Sequence, residues 1–168
     1  MEIRFSDDFN AVLAFSREEA LRTGSYGIGP DHLLLGILRH ANNSACTILS
    51  DMGVELERLK TLIDGKIITN EEISYSDLEK ITLSRVGQNI LSLALIETRR
   101  NDCSTAIPIH LLLALSLFLF GHLLLELHHA LPADFCEFIV SHFWSPFCFV
   151  RYSLVLCKAR NFLDCFFL

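Results

Sequence analysis

The segment Gly29-Pro30-Asp31-His32-Leu33-Leu34-Leu35-Gly36-Ile37-Leu38 is the most informative part of the chain, because it returns in altered form as Ile107-Pro108-Ile109-His110-Leu111-Leu112-Leu113-Ala114-Leu115. One constant offset of 78 positions aligns residues 5–38 with residues 83–116 without a gap. The same offset matches Ser6 with Ser84 and Glu19 with Glu97. Chance rarely keeps a proline, a histidine and three leucines in register, so the chain contains an internal repeat.

The first copy has the pattern of four helices. Ser6-Asp7-Asp8 provides a capping residue and two acids, which predicts a helix that begins there and runs to about Arg22, with Thr23-Gly24-Ser25 as its end. Pro30 suits the first turn of a second helix, which the leucines continue to Leu38. A third helix is predicted over 45–51 and a fourth from about Val54 through Ile63.

The second copy repeats the start of this pattern after a polar connector over 64–80. Its first helix is predicted to follow Leu83-Ser84 and to end at Asn101-Asp102, and Pro108 is predicted to begin the next helix. No strand pattern intervenes, so the predicted fold is all-α. The apolar positions predicted to form the buried face of the first of these two helices are Val86, Ile90, Leu91, Leu93, Ala94 and Leu95.

Composition excludes several classes of function. The net charge is -6 at pH 7 and no block of Lys and Arg occurs, which argues against a nucleic-acid partner. The six cysteines show no Cys-x-x-Cys metal spacing, and no Gly-x-x-x-x-Gly-Lys loop for nucleotide phosphates is present. The amino terminus lacks the basic and apolar regions of a secretory signal. We therefore predict a cytoplasmic, non-catalytic protein without a metal or cofactor.

The composition changes near Leu117. Ten of the thirteen phenylalanines, the single tryptophan and four of the seven histidines lie in 117–168, where helical periodicity is weak. Three interpretations remain open for this hydrophobic, Phe-rich tail: an out-of-frame end, a membrane-associated segment, and a hydrophobic helical extension that packs on the domain. The apolar run over 111–125 is shorter than the roughly 20 residues that a membrane-spanning helix needs.

The repeated residues resemble the Clp N-terminal (Clp repeat) domain of the Clp ATPase chaperones, and most of all its ClpC branch. The resemblance rests on Phe5-Ser6, on Glu18-Glu19-Ala20, on the segment over 28–38, and on Met52-Gly53-Val54. It covers about residues 3–116 and is weaker in the second copy. It implies an all-helical domain of two pseudo-symmetric four-helix repeats, of which the second is incomplete here.

The resemblance also implies a binding site. In the ClpC branch the domain docks phosphorylated arginine: an acidic residue before the motif histidine takes the guanidinium, and the N-terminus of the first helix takes the phosphate. Asp31 matches that acid in the first copy, whereas Ile109 stands there in the second. We expect one site around Ser6 and Asp31, with a weaker contribution from Ser84. The alternative that Asp31 is only an ordinary acid at a helix start remains open.

The other matching residues are expected to be structural. Phe5, Pro30, His32, Pro108 and His110 occupy positions of the family motif, with Leu83 in place of Phe5 in the second copy. Each histidine is expected to hold a neighbouring loop through its imidazole.

The predicted organisation is therefore a Clp N-terminal domain over 1–116, with repeat one at about 3–63, the connector at 64–80 and repeat two from 81, followed by the tail over 117–168. The predicted function is the binding of protein substrates or adaptors for a bacterial Clp protease or chaperone system in protein quality control, with a Clp ATPase as a partner in trans. The alternatives are a truncated or frameshifted remnant without function and a small membrane-associated helical protein.

Overall fold

The computed structural model describes residues 3–67 and 73–130, and over 122–130 it describes only the course of the backbone. The predicted tail beyond Ala130 lies outside the described residues. Residues up to Ser116 form one compact unit, and a second unit begins at Leu117.

The structure is mostly helical, as predicted, and its elements repeat at the offset seen in the sequence. The first copy contains β1 (Arg4–Phe5), α1 (Asp7–Arg22), β2 (Gly27–Ile28), α2 (Pro30–Arg39), α3 (Ser44–Asp51) and α4 (Leu56–Asp64). A 3-10 helix at Tyr75–Lys80 lies in the connector, and β3 (Thr82–Leu83), α5 (Arg85–Arg100), β4 (Thr105–Ala106) and α6 (Pro108–Ala130) follow. The predicted helix boundaries are confirmed to within a few residues.

The prediction that no strand intervenes was wrong. Each copy has two strands of two residues, and each strand pairs in parallel with a strand of the other copy: β1 with β4 and β2 with β3. The register follows the repeat: Arg4 pairs with Thr105, and their counterparts at the offset of 78 positions, Thr82 and Gly27, pair with each other. Two residues are too short to show the alternation that identifies a strand in a sequence.

The centre of the core lies where α1 packs against α2. Phe9, Val12, Leu33 and Ile37 are fully buried there. The two helices approach so closely at Gly36 that a Cβ on that residue would lie 2.2 Å from Oγ of Ser16. The close approach therefore requires a residue without a side chain at position 36.

A buried carboxylate joins α1, α2 and α4. Glu19 accepts a hydrogen bond from Nε of Arg22 at 2.7 Å and another from Arg39 at 3.1 Å. Arg22 also pairs with Asp64 at the end of α4, and Arg39 pairs with Glu18. The burial of Glu19 is thus compensated by two guanidinium groups, as a buried charge requires.

The predicted buried face of α5 is only partly correct. Ile90 and Ala94 are fully buried, but the other predicted members remain half-exposed: Val86, Leu91, Leu93 and Leu95. The apolar pattern of α5 is therefore wider than its buried surface.

Helix α6 does not end where its counterpart ends. In the first copy the chain leaves α2 at His40 and turns through Ala41, which has a φ of 36°, before Asn43 caps α3. At the matching positions α6 continues without a break to Ala130. No helix in residues 3–67 or 73–130 combines the length and the apolar character needed to cross a bilayer.

Candidate functional site

The paired strands bring the helix starts of the two copies together. The backbone N–H of Ser84 donates to the carbonyl of Ile28 at 3.1 Å, which places the start of α5 beside the start of α2. By the equivalent bond, Ser6 donates to the carbonyl of Ala106 at 2.9 Å, and the start of α1 lies beside the start of α6. We call these places the Asp31 end and the Ile109 end after the residue that follows each motif proline.

This pairing changes which predicted residues are neighbours. The sequence led us to group Ser6 with Asp31, because both belong to the first copy. The strand pairing instead brings Ser84 to the end of α2 that contains Asp31, and it brings Ser6 to the end of α6 that contains Ile109. The predicted site residues are thus distributed between two ends, each built from both copies.

Both serines are helix caps. Oγ of Ser6 accepts a hydrogen bond from the amide of Phe9 at 3.1 Å, and Oγ of Ser84 accepts one from the amide of Gly87 at 3.0 Å. Each hydroxyl therefore satisfies one free N–H of its helix start, while other amides of the first turn have no partner within the helix.

The two ends differ in charge. The first turn of α1 at the Ile109 end contains Asp7 and Asp8. The first turn of α5 at the Asp31 end contains no acid and begins with the exposed Arg85. Because the positive end of a helix and a guanidinium both attract anions, the start of α5 suits an anion, and the exposed carboxylate of Asp31 beside it suits a cation.

Gly87 was missed by the sequence analysis, although it allows this arrangement. A Cβ at position 87 would lie 2.4 Å from the carbonyl oxygen of Ile28. The repeat places Gly87 opposite Phe9, and Arg85 opposite Asp7. A comparison of the first turns of the two copies, position by position, would have indicated both residues.

The motif histidines hold the strand-to-helix junctions. Nδ1 of His32 accepts the backbone N–H of Gly29 at 3.0 Å, and Nδ1 of His110 accepts that of Ile107 at 3.2 Å. Nε2 of His32 lies 2.8 Å from Oγ1 of Thr23, whose own proton has backbone carbonyl acceptors in α1. The prediction that each imidazole holds a neighbouring loop is confirmed.

These hydrogen bonds require neutral imidazoles, because Nδ1 is the hydrogen-bond acceptor in each and therefore carries no proton. Burial lowers the pKa of His32 below its ordinary value of 6.5, although the carboxylates of Asp31 and Glu19 act in the opposite direction. Burial also lowers the pKa of His110, against the influence of Glu97. Within the described ranges, no group of three or more His, Cys, Asp or Glu side chains is arranged to hold a metal ion.

Comparison with known proteins places this geometry in a family. The family model described as the Clp repeat (R) N-terminal domain matches residues 4–118, which is more than half of the chain. In the solved N-terminal domain of the caseinolytic protease associated chaperone ClpD from Arabidopsis thaliana, the matching region covers 67% of this chain and 75% of that one. The TM-score is 0.53 and the identity 21%, so this match shows a shared fold.

Curated relatives match as well. The negative regulator of genetic competence ClpC/MecB of Bacillus subtilis is 30% identical over 112 residues, which is 67% of this chain and 13% of that protein. The chaperone protein ClpB of Oceanobacillus iheyensis is 31% identical over 109 residues, or 55% of this chain and 14% of its own length. The chloroplastic ClpC2 of Arabidopsis thaliana is 32% identical over 101 residues, or 56% and 11%. The match thus spans only a small part of each relative.

Proposed function

The chain belongs to the family of Clp repeat N-terminal domains, and on that premise we propose that it is a non-catalytic module that binds protein substrates or adaptors of a Clp chaperone system. Family membership supports this class of function, since the relatives described above include the chaperone proteins ClpB and ClpC2. A Clp ATPase is the proposed partner of this module.

We further propose that the binding site is the Asp31 end and that its ligand is a phosphorylated arginine of a protein chain. The observation that supports this choice is the β2–β3 pairing, which sets the start of α5 beside the start of α2, where Asp31 follows Pro30. The carboxylate of Asp31 would accept the guanidinium N–H groups, and the free amides of α5 together with Arg85 would bind the phosphoryl oxygens.

The Ile109 end lacks both halves of this chemistry. Ile109 has no carboxylate for a guanidinium, and the acids Asp7 and Asp8 in the first turn of α1 repel a phosphoryl group. The proposal is therefore one phosphoarginine for each chain, held by Asp31, Ser84 and Arg85. Ser6 remains a cap of α1 in this proposal.

The test is isothermal titration of the full chain with a peptide that contains phosphoarginine and with the same peptide unphosphorylated. Asp31→Ala should weaken binding of the phosphorylated peptide by at least about tenfold, the scale of a lost charge-assisted hydrogen bond. Arg85→Ala should reduce the preference for the phosphorylated peptide, because it removes charge from the phosphate side only.

Asp7→Ala is the matched control, since Asp7 is likewise an exposed acid in the first turn of a helix, but at the Ile109 end. It should leave affinity unchanged. Unchanged affinity in Asp31→Ala would refute the assignment of the site, and the same loss in Asp7→Ala would show that general charge, rather than the Asp31 end, determines binding.

A further inference from the structure

The imidazole of His32 is held at both of its ring nitrogens. Nδ1 accepts the backbone N–H of Gly29 at 3.0 Å, so the proton of the neutral ring lies on Nε2. Nε2 lies 2.8 Å from Oγ1 of Thr23 and donates to it, because the Thr23 hydroxyl has backbone carbonyl acceptors for its own proton. Both side chains are buried, at 8% and 1% exposure. The arrangement therefore fits one tautomer of the neutral ring.

A second proton on this ring removes the bond to Gly29. A protonated Nδ1 is a donor, and it would face the N–H of Gly29, which is also a donor. Gly29 is the residue at which α2 starts, and Pro30 and Asp31 follow it directly. The bond from Gly29 to His32 thus closes a short loop that contains Asp31. Its loss frees the backbone that positions the Asp31 carboxylate.

The second repeat keeps one half of this arrangement. Nδ1 of His110 accepts a backbone N–H of its own strand-to-helix junction at 3.2 Å. The position of Thr23, however, is occupied by Asn101, whose Nδ2 donates to a carbonyl of α5 at 2.8 Å. The hydroxyl partner of the imidazole therefore occurs in the repeat that contains Asp31, and it is replaced in the repeat that has Ile109 at the matching position.

Charged groups on α1 and α2 act on the ring. Burial is the largest influence and lowers the pKa of His32; the carboxylates of Asp31 and Glu19 raise it, and the guanidinium of Arg22 lowers it. The charge of Glu19 is itself compensated, because its carboxylate accepts hydrogen bonds from Arg22 and Arg39. The neutral ring is therefore the stable form at pH 7, and acid supplies the second proton.

We propose that His32 is the positioning residue of the Asp31 end, and that its protonation releases the bound phosphoarginine. The inference rests on the proposed function, since it concerns the affinity of the same site. Neutral His32 holds Asp31 where its carboxylate receives the guanidinium, whereas the charged ring has lost the bond to Gly29 that does so. Ligand and proton therefore oppose each other: acid weakens binding, and binding makes His32 harder to protonate.

Isothermal titration of the full chain with the phosphoarginine peptide at pH 7.5 and at pH 5.0 tests this proposal. The loss of affinity at pH 5.0 should be at least about threefold larger in the wild type than in His32→Gln, because glutamine at this position accepts the N–H of Gly29 without titrating. Protonation of the peptide itself is the same for every variant and cancels in this comparison.

Two further variants separate the role of the side chain from its effect on the fold. His32→Ala has no acceptor for the N–H of Gly29 and should bind the peptide several-fold more weakly than His32→Gln at pH 7.5. His110→Gln is the matched control, because His110 makes the equivalent bond at the Ile109 end. It should retain the loss of affinity at pH 5.0 that the wild type shows.

Nuclear magnetic resonance of the wild type gives a measurement without any substitution. The pKa of His32, followed through the chemical shifts of its ring protons, should fall when the peptide is added, and that of His110 should stay the same. A His32 pKa that is unchanged or raised in the complex would overturn the proposal. A pH dependence of binding that His32→Gln retains in full would overturn it too. A wild type that does not bind the peptide at pH 7.5 would refute the proposed function itself, and this inference with it.

Discussion

Replacement of Gly36 by alanine tests the packing of α1 on α2. The added Cβ would lie 2.2 Å from Oγ of Ser16, 2.6 Å from the carbonyl oxygen of Val12 and 2.9 Å from the backbone nitrogen of Ser16. Two of these three atoms belong to the backbone of α1, so a change of side-chain rotamer does not relieve the contact. The helices must move apart along the centre of the core.

The expected loss of stability follows from two opposing effects. Alanine in place of glycine favours a helix interior by about 1 kcal/mol. Overpacking of a close-packed core costs about 1–3 kcal/mol, and contacts with backbone atoms belong at the upper end of that range. The net effect of Gly36→Ala is a loss of about 1–2 kcal/mol in the free energy of unfolding.

Urea denaturation followed by far-ultraviolet circular dichroism measures this loss. For a domain of this size the midpoint should fall by about 0.5–1 M. Gly121→Ala is the matched control, because Gly121 also lies inside a helix but a Cβ there would have no neighbour within 4 Å. That substitution should raise the stability of the helix by about 0.5–1 kcal/mol.

The second repeat indicates a second substitution that should compensate for Gly36→Ala. Ala94 and Ala114 stand at the positions that match Ser16 and Gly36, so the repeat itself contains an alanine pair at this crossing. Ser16→Ala added to Gly36→Ala removes the nearest atom and should recover part of the lost stability, although the carbonyl of Val12 remains close. A midpoint for Gly36→Ala equal to or above that of the wild type would refute the packing argument.

Two further predictions concern charge. Glu19→Gln should lower the free energy of unfolding by about 1–3 kcal/mol, because it weakens two guanidinium contacts of a buried carboxylate. Glu97→Gln is the control and should cost less, since the Glu97 carboxylate accepts a hydrogen bond from Arg100 alone among the described contacts. Equal losses of the two variants in urea denaturation would contradict this prediction. Stability should also depend on pH through His32 and His110, whose pKa values are lowered in the folded state. Below pH 6.5, the ordinary pKa of histidine, the unfolded state therefore binds more protons than the folded state. The contribution of the neutral histidines to stability is fully present above pH 6.5 and is lost as the pH falls from 6.5 towards the folded pKa. Thermal unfolding from pH 7.5 to 5 measures the slope, which His32→Gln should reduce; a flat profile in the wild type would contradict the assignment.

The candidate site shows which features can be predicted from residues that are close together in the sequence. Ser6 was correctly predicted as a helix cap, and each motif histidine as a residue that holds a neighbouring segment, because both roles involve partners within a few residues. Ser84 proved to be a cap as well. The association of Ser84 with Asp31 was not predicted. It depends on a parallel pairing of residues that are 55 positions apart, between strands of two residues that have no local signature.

The repeat, the positions of the helices and membership of the Clp repeat family could all be predicted from the sequence alone. These properties depend on caps, on helical periodicity and on motif residues that lie close together in the chain. Three further features became visible in the folded chain: which helix starts meet, which apolar residues of α5 stay exposed, and that α6 continues at the positions where α2 ends. Each of these features depends on contacts between distant segments. Every strand pairs with a strand of the other copy, and the burial of α5 depends on neighbouring segments that its own residues do not specify.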